Sequence, residues 1–237
     1  MSNLRLLIVF LAHSMFVLFS GKRYLVPVTR ILANPDYFVG LASATDTNSY
    51  FVQSGWLDTM TRGECIDRAG NPLPWLTYPM IEFIQQRLDP GMKVFEFGTG
   101  GSTLWWAQRV REVITIEHDP VWHERISPQL PENVTSVLQT SIDDGTYASQ
   151  IRNHHKRFDI VVIDGRDRVK CAMNSIDALT DNGIIVWDNT DRAQYRDGIE
   201  YLHQQGFKRI AFSGLNPLVS FRCETSIFYR RENVFGI

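Results

Sequence analysis

Residues 94–103 read VFEFGTGGST and place an acidic residue, Glu96, two positions before the first of three glycines. An apolar run leads into Phe97, and a helical pattern starts at Thr103. This order predicts a buried strand, a tight turn and a helix whose N-terminus faces back across the strand end. Glycines let the backbone turn sharply and let a ligand approach without a Cβ in the way. The free N–H groups at the helix start favour an anionic group.

A second acidic residue, Glu117, lies nineteen residues after Gly98 and follows the apolar run 113–116. A carboxylate at such a strand end can accept hydrogen bonds from both hydroxyls of a ribose, so the pattern predicts a nucleoside-cofactor site. A dinucleotide is disfavoured, because Thr103 replaces the third glycine of G-x-G-x-x-G and Glu96 would repel a pyrophosphate. A cofactor with an amino group and a sulfonium has no such conflict. The alternative is an ordinary α/β turn in which both acids are solvated.

Two further apolar runs also end in polar residues. Residues 160–163 lead into Asp164, and residues 184–187 lead into Asp188 and Asn189. Ligands of doubly wound sheets bind outside the carboxyl ends of the strands, so we expect these side chains to converge at one edge with the earlier acids. Two carboxylates and an amide oxygen form a set suited to Mg²⁺, which would lower the pKa of a bound hydroxyl. The alternative for Asp164 and Asp188 is helix capping and turn formation.

The acidic-x-Gly-x-Gly motif from Glu96 to Gly100, with Glu117 downstream, resembles the class I S-adenosylmethionine-dependent methyltransferases. The resemblance covers residues 78–231 and implies S-adenosylmethionine as the cofactor. Ser102 and Thr103 are then expected to meet its methionyl carboxylate. The residues that the resemblance places at the cofactor are Glu96, Phe97, Gly98, Thr99, Gly100, Gly101, Ser102, Thr103, Glu117, His118, Ser141, Ile142, Asp143 and Asp164.

The loop after the third strand is expected to hold the adenine. Ser141 or Asp143 would hydrogen-bond the adenine amino group while Ile142 packs on the ring. A polar loop in which Asp143 caps the next helix is an equally good interpretation.

Within this class, the strand-end acids look like those of the cation-dependent O-methyltransferases of the catechol and caffeoyl-coenzyme A type. In those families an Asp that ends the fourth strand and an Asp-Asn pair that ends the fifth bind the metal. The resemblance therefore places metal ligation, with Mg²⁺ as the candidate ion, on Asp164, Asp188 and Asn189.

The general base departs from that pattern, because the position of the families' lysine, three residues after Asp164, is occupied by Asp167. Three alternatives follow: a metal-bound hydroxyl needs little help, Asp167 accepts the proton, or no metal is used. Arg166 and Arg168 lie nearby, but an arginine stays protonated and makes a poor base. The candidate catalytic residues are Asp164, Arg166, Asp167 and Asp188.

From residue 93 onward, strand and helix patterns alternate. Because several strands are continuously apolar, as in a parallel sheet covered on both faces, the pattern predicts a doubly wound α/β fold. The end of the chain lacks a helix between its last two strands. We therefore expect a Rossmann-like sheet of seven strands with the last one antiparallel, preceded by an N-terminal extension. The predicted strands are 93–97, 112–117, 134–139, 158–163, 183–188, 208–213 and 225–231. The predicted helices are 79–88, 103–110, 120–127, 146–154, 169–179 and 192–205.

At 237 residues the chain suits one α/β domain, residues 77–237, with an N-terminal helix and lid-like extension, residues 1–76. The formal net charge of −2 gives no electrostatic case for nucleic acid as a partner. Three widely spaced cysteines offer no disulfide framework and fit a reducing compartment. We expect a cytoplasmic protein.

The N-terminus carries an apolar run, residues 6–19, that is short for a membrane-spanning helix. A signal peptide is disfavoured because residues 18–21 form a poor cleavage site. The helix predicted at residues 4–19 would pack on a partner subunit, giving a homodimer, or lie at a membrane surface.

These observations favour O-methylation of a small hydroxylated acceptor, with or without a metal. The alternatives are an aminopropyltransferase on the same fold and a non-catalytic cofactor-binding or assembly protein. Residues 21–76 and the loop 214–224 are expected to shape the acceptor pocket. Aromatic residues such as Trp56 and Trp75 indicate either an apolar, ring-shaped acceptor or a small core within the lid.

Overall fold

A computed structural model describes the backbone of residues 36–237 and the side chains of residues 39–237. The chain divides into two compact units, the first ending at Tyr50 and the second running from Phe51 to Ile237. The helix predicted at residues 4–19 lies outside the described residues, and the predictions of a membrane-surface or subunit contact lie there with it. Between residues 36 and 237, no helix is long and apolar enough to cross a membrane.

Helices and strands alternate along the second unit as the sequence predicts. The helices of the described chain are α1 (Asp36–Thr45), α2 (Tyr50–Gln53), α3 (Trp56–Arg62), α4 (Tyr78–Gln85), α5 (Gly101–Ala107), α6 (Pro120–Ile126), α7 (Thr146–Ser149), α8 (Arg168–Ser175) and α9 (Arg196–Gln204). The strands are β1 (Lys93–Phe97), β2 (Glu112–Glu117), β3 (Val134–Leu138), β4 (Phe158–Ile163), β5 (Leu179–Asp188), β6 (Lys208–Gly214) and β7 (Cys223–Tyr229).

The seven strands form one sheet in the order β3-β2-β1-β4-β5-β7-β6. Strands β1 to β5 pair in parallel, whereas β7 is antiparallel to both β5 and β6. The predicted fold class, a seven-stranded Rossmann-like sheet whose last strand is antiparallel, is confirmed. Among the strands, the largest difference from the predicted boundaries is β5, which begins four residues earlier because Leu179 already pairs with Phe158. The helices predicted at residues 146–154 and 169–179 end as α-helices at Ser149 and Ser175, and each continues as a short 3-10 helix.

The sheet is covered on both faces, which explains its continuously apolar strands. Successive side chains of a strand point to opposite faces. On β1, Val94 accordingly packs in one core cluster and Phe95 in the other. On β5, Ile184 and Ile185 divide in the same way. A sheet fixed by packing on both faces holds the carboxyl ends of its parallel strands at one edge.

Residues 54–77 pack on the loop 215–222, and we call these two segments together the cap. The indole Nε1 of Trp56 donates a hydrogen bond to the Val219 carbonyl at 2.9 Å, and the amide of Leu218 donates to Thr59 Oγ1 at 3.4 Å. The amide of Tyr78 donates to the Leu215 carbonyl at 2.9 Å. The cap thus ties α3 and the start of α4 to the connection between β6 and β7.

Candidate active site

The carboxyl ends of β1, β2, β4 and β5 meet along one side of the sheet, which we call the carboxyl edge. The loops that follow these strands are joined by backbone hydrogen bonds. The amide of Gly98 donates to the Ile116 carbonyl at 2.8 Å, and the amide of Asp164 donates to the Phe97 carbonyl at 3.3 Å. The predicted convergence of the strand-end acids on one edge therefore follows from the observed strand order.

Two glycines let the loops after β1 and β4 touch. Gly98 has a φ of +102°, a conformation that side chains other than glycine rarely adopt. A Cβ placed on it would lie 3.4 Å from the Cα of Gly165. A Cβ on Gly165 would lie 2.1 Å from the hydroxyl oxygen of Tyr147, so no larger residue fits there. At these two positions, the conformation and packing of the protein itself account for the glycine.

Gly100 has a different explanation. Its backbone is extended, with a φ of −177°, which any residue adopts. A Cβ placed on Gly100 would meet no described protein atom within 4 Å. Neither backbone strain nor packing against the described residues requires a glycine at this position. The open space beside Gly100 is what the approach of a ligand to the loop would need.

The carboxyl group of Glu96 is buried beneath this loop and is fully shielded from solvent. Its Oε2 accepts a hydrogen bond from the hydroxyl of Thr103 at 2.5 Å, and the same hydroxyl accepts one from the amide of Gly100 at 2.9 Å. Glu96 thereby ties the end of β1 to both the glycine loop and α5. The hydroxyl of Thr103, predicted to meet the methionyl carboxylate, is already used in this bridge.

The second oxygen of Glu96, Oε1, is buried and has no hydrogen-bond partner among the described residues. Burial raises the pKa of Glu96 to about 8, and the charges of Asp164 and Glu117 add to this, whereas the hydroxyls of Ser102 and Thr103 lower it. An unpartnered carboxyl oxygen at the glycine loop fits a cofactor with a positively charged amino group. It does not fit a pyrophosphate.

Glu117 is held by backbone donors at the end of β2 and is 4% exposed. Its Oε2 accepts from the amide of Thr99 at 3.0 Å, and its Oε1 accepts from the amides of His118 and Asp119 at 2.8 and 2.9 Å. An ionised carboxylate has about four lone-pair sites, so capacity is left for one or two ribose hydroxyls. Its predicted ribose role is compatible with this geometry and stays a prediction.

His118 links the ends of β2 and β4. Its Nδ1 lies 2.8 Å from Glu117 Oε1, and the Nε of Arg166 donates to its Nε2 at 3.1 Å. Each of the two ring nitrogens of His118 thus has a polar neighbour. Arg166, predicted as a catalytic residue, is therefore placed beside the predicted cofactor residues.

The predicted adenine loop is more exposed than the rest of the site. Ser141 and Asp143 are exposed, while Ile142 is half-buried against the core. The carboxylate of Asp144, rather than that of Asp143, accepts a hydrogen bond from the amide of Thr146 at the start of α7, at 2.9 Å. Asp143 is thus left without the capping role considered for it, and the adenine roles of this loop stay predictions.

The ends of β4 and β5 are joined by the guanidinium of Arg168, whose side chain is 11% exposed. Its Nε donates to the Gly165 carbonyl at 3.0 Å, and its Nη1 donates to the Asp188 carbonyl at 2.7 Å and to Asn189 Oδ1 at 3.3 Å. Its Nη2 donates to the Asp164 carbonyl at 2.8 Å and lies 2.9 Å from Asp164 Oδ1. The guanidinium thus makes four hydrogen bonds and one ion pair.

The three residues predicted to bind Mg²⁺ do not fit that ion as they are arranged. Arg168 already engages an oxygen of Asp164 and the amide oxygen of Asn189, and the hydroxyl of Thr225 donates to Asp188 Oδ1 at 2.5 Å. A divalent ion about 4 Å from a guanidinium would meet a repulsion on the order of several kcal/mol. Within residues 36–237, no group of three or more His, Cys, Asp and Glu side chains could hold a metal ion.

Burial raises the pKa of Asp164 and of Asp188, that of Asp188 to about 8. The charge of Asp164 raises the pKa of Asp188 further, whereas Arg168 lowers that of both. Asp167, the other candidate base, is 3.0 Å from Lys170 Nζ in an ion pair and has a φ of +46°. The raised pKa of Asp164 increases its affinity for a proton.

Sequence reasoning named Arg168 only as a poor base and did not foresee its bridge. The contact with Asp164 could have been predicted from the position of Arg168, four residues later and across a strand-to-helix turn. Thr225 was missed altogether, because it reaches Asp188 only through the cross-strand pairing of β5 with β7. Trp122 was also missed; its Nε1 donates to the Thr99 carbonyl at 2.6 Å and fixes the glycine loop from the side of α6.

Comparison with known proteins agrees with this geometry. Residues 95–190 match a family model described as a methyltransferase domain. In this part the chain is similar to methyltransferase domains, and the sheet has the order described above. A search of curated proteins found no match.

Solved structures with the same fold include a tRNA methyltransferase from Aquifex aeolicus, at 14% identity and a TM-score of 0.51 over 68% of this chain and 72% of that one. Precorrin-6y C5,15-methyltransferase from Geobacter metallireducens aligns at 13% identity and a TM-score of 0.50, over 64% of this chain and 86% of its own. Spermidine synthase from Thermotoga maritima aligns at 13% identity and a TM-score of 0.48, over 62% of this chain. The alignment spans about half of that synthase, 55% of its chain.

The contrast between Gly98 and Gly100 gives a matched pair of variants. We expect Gly98→Ala to lower the free energy of unfolding by about 1–3 kcal/mol, because φ is positive there. We expect Gly100→Ala to fold with nearly unchanged stability but to bind S-adenosylhomocysteine at least tenfold more weakly. Urea denaturation and titration calorimetry measure the two effects. Unchanged affinity in a folded Gly100→Ala variant would contradict a ligand beside this glycine.

The raised pKa of Glu96 predicts a pH-dependent stability. The folded state holds the proton up to about pH 8, whereas the unfolded state loses it near the ordinary value of 4.5. The contribution of Glu96 to the free energy of unfolding is therefore greatest below pH 4.5. It falls by up to about 1.4 kcal/mol per pH unit as the pH rises towards 8. Glu96→Gln removes this loss, so the free energy of unfolding of the variant should rise relative to that of the wild type between pH 4.5 and about 8 and stay level above that. Parallel profiles in urea denaturation would contradict the assignment.

Proposed function

We propose that this chain transfers the methyl group of S-adenosylmethionine to an oxygen atom of a small hydroxylated acceptor. The observation that carries the proposal is the buried, unpartnered Oε1 of Glu96 at a glycine loop with open space beside Gly100. A sulfonium cofactor that also bears an ammonium group matches the charge of this carboxyl group. The net charge of −2 favours a small acceptor over a nucleic acid.

The donor half of the site consists of the glycine loop, Glu96 and Glu117. Glu96 would be ionised by the ammonium group of the cofactor, which supplies the counter-charge that the free protein lacks. Glu117, fixed by three backbone amides, would present its remaining lone pairs to the ribose. Because Thr99 is held by Glu117 and Trp122, the loop is ordered before the cofactor binds.

The acceptor half lies at the ends of β4 and β5, where Asp164 is the group able to accept a proton. One of its oxygens is paired with Arg168, and its side chain is 26% exposed. In the transfer, the acceptor oxygen forms a bond to the methyl carbon while the bond from that carbon to the sulfonium breaks. The hydroxyl proton passes to Asp164. Holding the acceptor in line with the sulfonium would supply much of the rate.

The cap places apolar and polar groups near this half of the site. Cys65, in the cap, lies close enough to Asp164 for the carboxylate charge to help raise the pKa of its thiol, after burial, to about 12. The cap is therefore the part of the described chain that we expect to contact the acceptor. This assigns acceptor selection to residues 54–77 and 215–222.

The test uses methyl-labelled S-adenosylmethionine with a panel of phenols, sugars and polyketide alcohols, and it measures labelled product and S-adenosylhomocysteine. Asp164→Asn should lower kcat about 10²–10⁴-fold, the usual contribution of a general base. Its affinity for S-adenosylhomocysteine should change far less than kcat. Asp167→Asn is the matched control and should keep most of the activity, since Asp167 is paired with Lys170.

Two outcomes would contradict the proposal. Loss of activity in Asp167→Asn alone would move the base to that residue. Transfer of an aminopropyl group from decarboxylated S-adenosylmethionine to a diamine, with no methyl transfer to any hydroxyl, would replace the reaction itself.

A further inference from the structure

The guanidinium of Arg168 occupies the position between the oxygen groups that end β4 and β5. Three of its contacts are to backbone carbonyls, of Asp164, Gly165 and Asp188. The other two are to side-chain oxygens, of Asp164 and Asn189. Four of the five acceptors are carbonyl oxygens and the fifth is a carboxylate oxygen. Divalent cations coordinate both types of oxygen.

Arg168 is anchored by both the geometry and the charge of this set. A planar guanidinium presents five donors in a fixed fork and cannot lose its proton in a protein. With four hydrogen bonds, one ion pair and a side chain only 11% exposed, it is held in one place. It therefore supplies a permanent positive charge where the resemblance to cation-dependent enzymes places a metal.

We propose that Arg168 takes the place of a divalent cation in this protein, so that the site binds no such ion and works without one. Arg168 is a positioning residue. It fixes Oδ1 of Asp164 by the ion pair and thereby directs the other carboxylate oxygen to the acceptor. The claim that a cation is replaced rests on geometry alone, whereas the positioning claim rests on the proposed methyl transfer.

A purely structural role for Arg168, as a link between two strand ends, makes different predictions. Such a link would leave the carboxylate and amide oxygens unfit for a metal whether or not the guanidinium is present. If Arg168 replaces a cation, removing its charge should turn the same oxygens into a cation site. Restoring a positive charge with lysine should prevent that site from forming.

The experiment measures Mn²⁺ binding by electron paramagnetic resonance in the full chain, with Mg²⁺ as the competitor. We expect the wild type to bind no stoichiometric Mn²⁺. We expect Arg168→Met to bind one Mn²⁺ per chain, Arg168→Lys to bind none, and Asp164→Asn to abolish the binding in the Arg168→Met background. Stoichiometric binding to the wild type, displaced by Mg²⁺ and lost in Asp188→Asn, would overturn the proposal. So would a folded Arg168→Met variant that binds no Mn²⁺.

Two further measurements cover the positioning role and a variant that does not fold. If Arg168→Met fails to fold, the wild-type titration alone decides whether a cation binds. In Arg168→Lys, we expect kcat to fall at least tenfold with an unchanged KM for S-adenosylmethionine, and chelator to leave the wild-type rate unchanged. A wild-type rate that chelator abolishes and Mg²⁺ restores would overturn the inference. The absence of methyl transfer would instead contradict the proposed function and leave the Mn²⁺ result standing.

Discussion

The site depends first on the carboxyl group of Glu96, which lies out of solvent beneath the glycine loop. Burying a carboxyl group without full hydrogen bonding is unfavourable, and only one oxygen of Glu96 is bonded, through Thr103 to Gly100. The bond draws the end of β1, the loop and α5 into one unit. The unbonded oxygen makes the same unit able to respond to a positively charged ligand.

A second fixed element, the guanidinium of Arg168, organises the other half of the carboxyl edge. It spans the ends of β4 and β5 and pairs with Asp164, while Thr225 on β7 holds Asp188. In the proposed reaction, the edge is thus divided into a donor half built around an acid and an acceptor half built around an ion pair. The glycines at 98 and 165 allow the loops of the two halves to pack against each other.

The fold was predictable because its determinants are local. Apolar runs such as 160–163 and 184–187 mark strands covered on both faces, and acidic residues at their ends must share an edge once the strands are parallel. The glycine loop and Glu117 follow from the same reasoning.

The parts of the site that sequence did not predict depend on contacts between distant or unpatterned residues. The pairing of β5 with β7 brings Thr225 to Asp188, thirty-seven positions away. The bridge of Arg168 requires the turn after β4 to fold back over the end of β5. The sequence predicted a metal site from three oxygen-bearing residues. In our proposal, the positive charge that replaces the ion comes from a fourth residue, Arg168. The loop predicted to hold the adenine is exposed except for Ile142, which is half-buried against the core.

The most direct test of the account is hydrogen–deuterium exchange of the wild-type protein with and without S-adenosylhomocysteine. We expect slower exchange in the amides of residues 97–103 and 117–122, where the cofactor would lie. The open cavity of about 420 Å³ bordered by Thr146, Arg152 and Lys170 should show no change. Protection confined to that cavity, or no protection at a saturating ligand concentration, would contradict a cofactor site at the carboxyl edge.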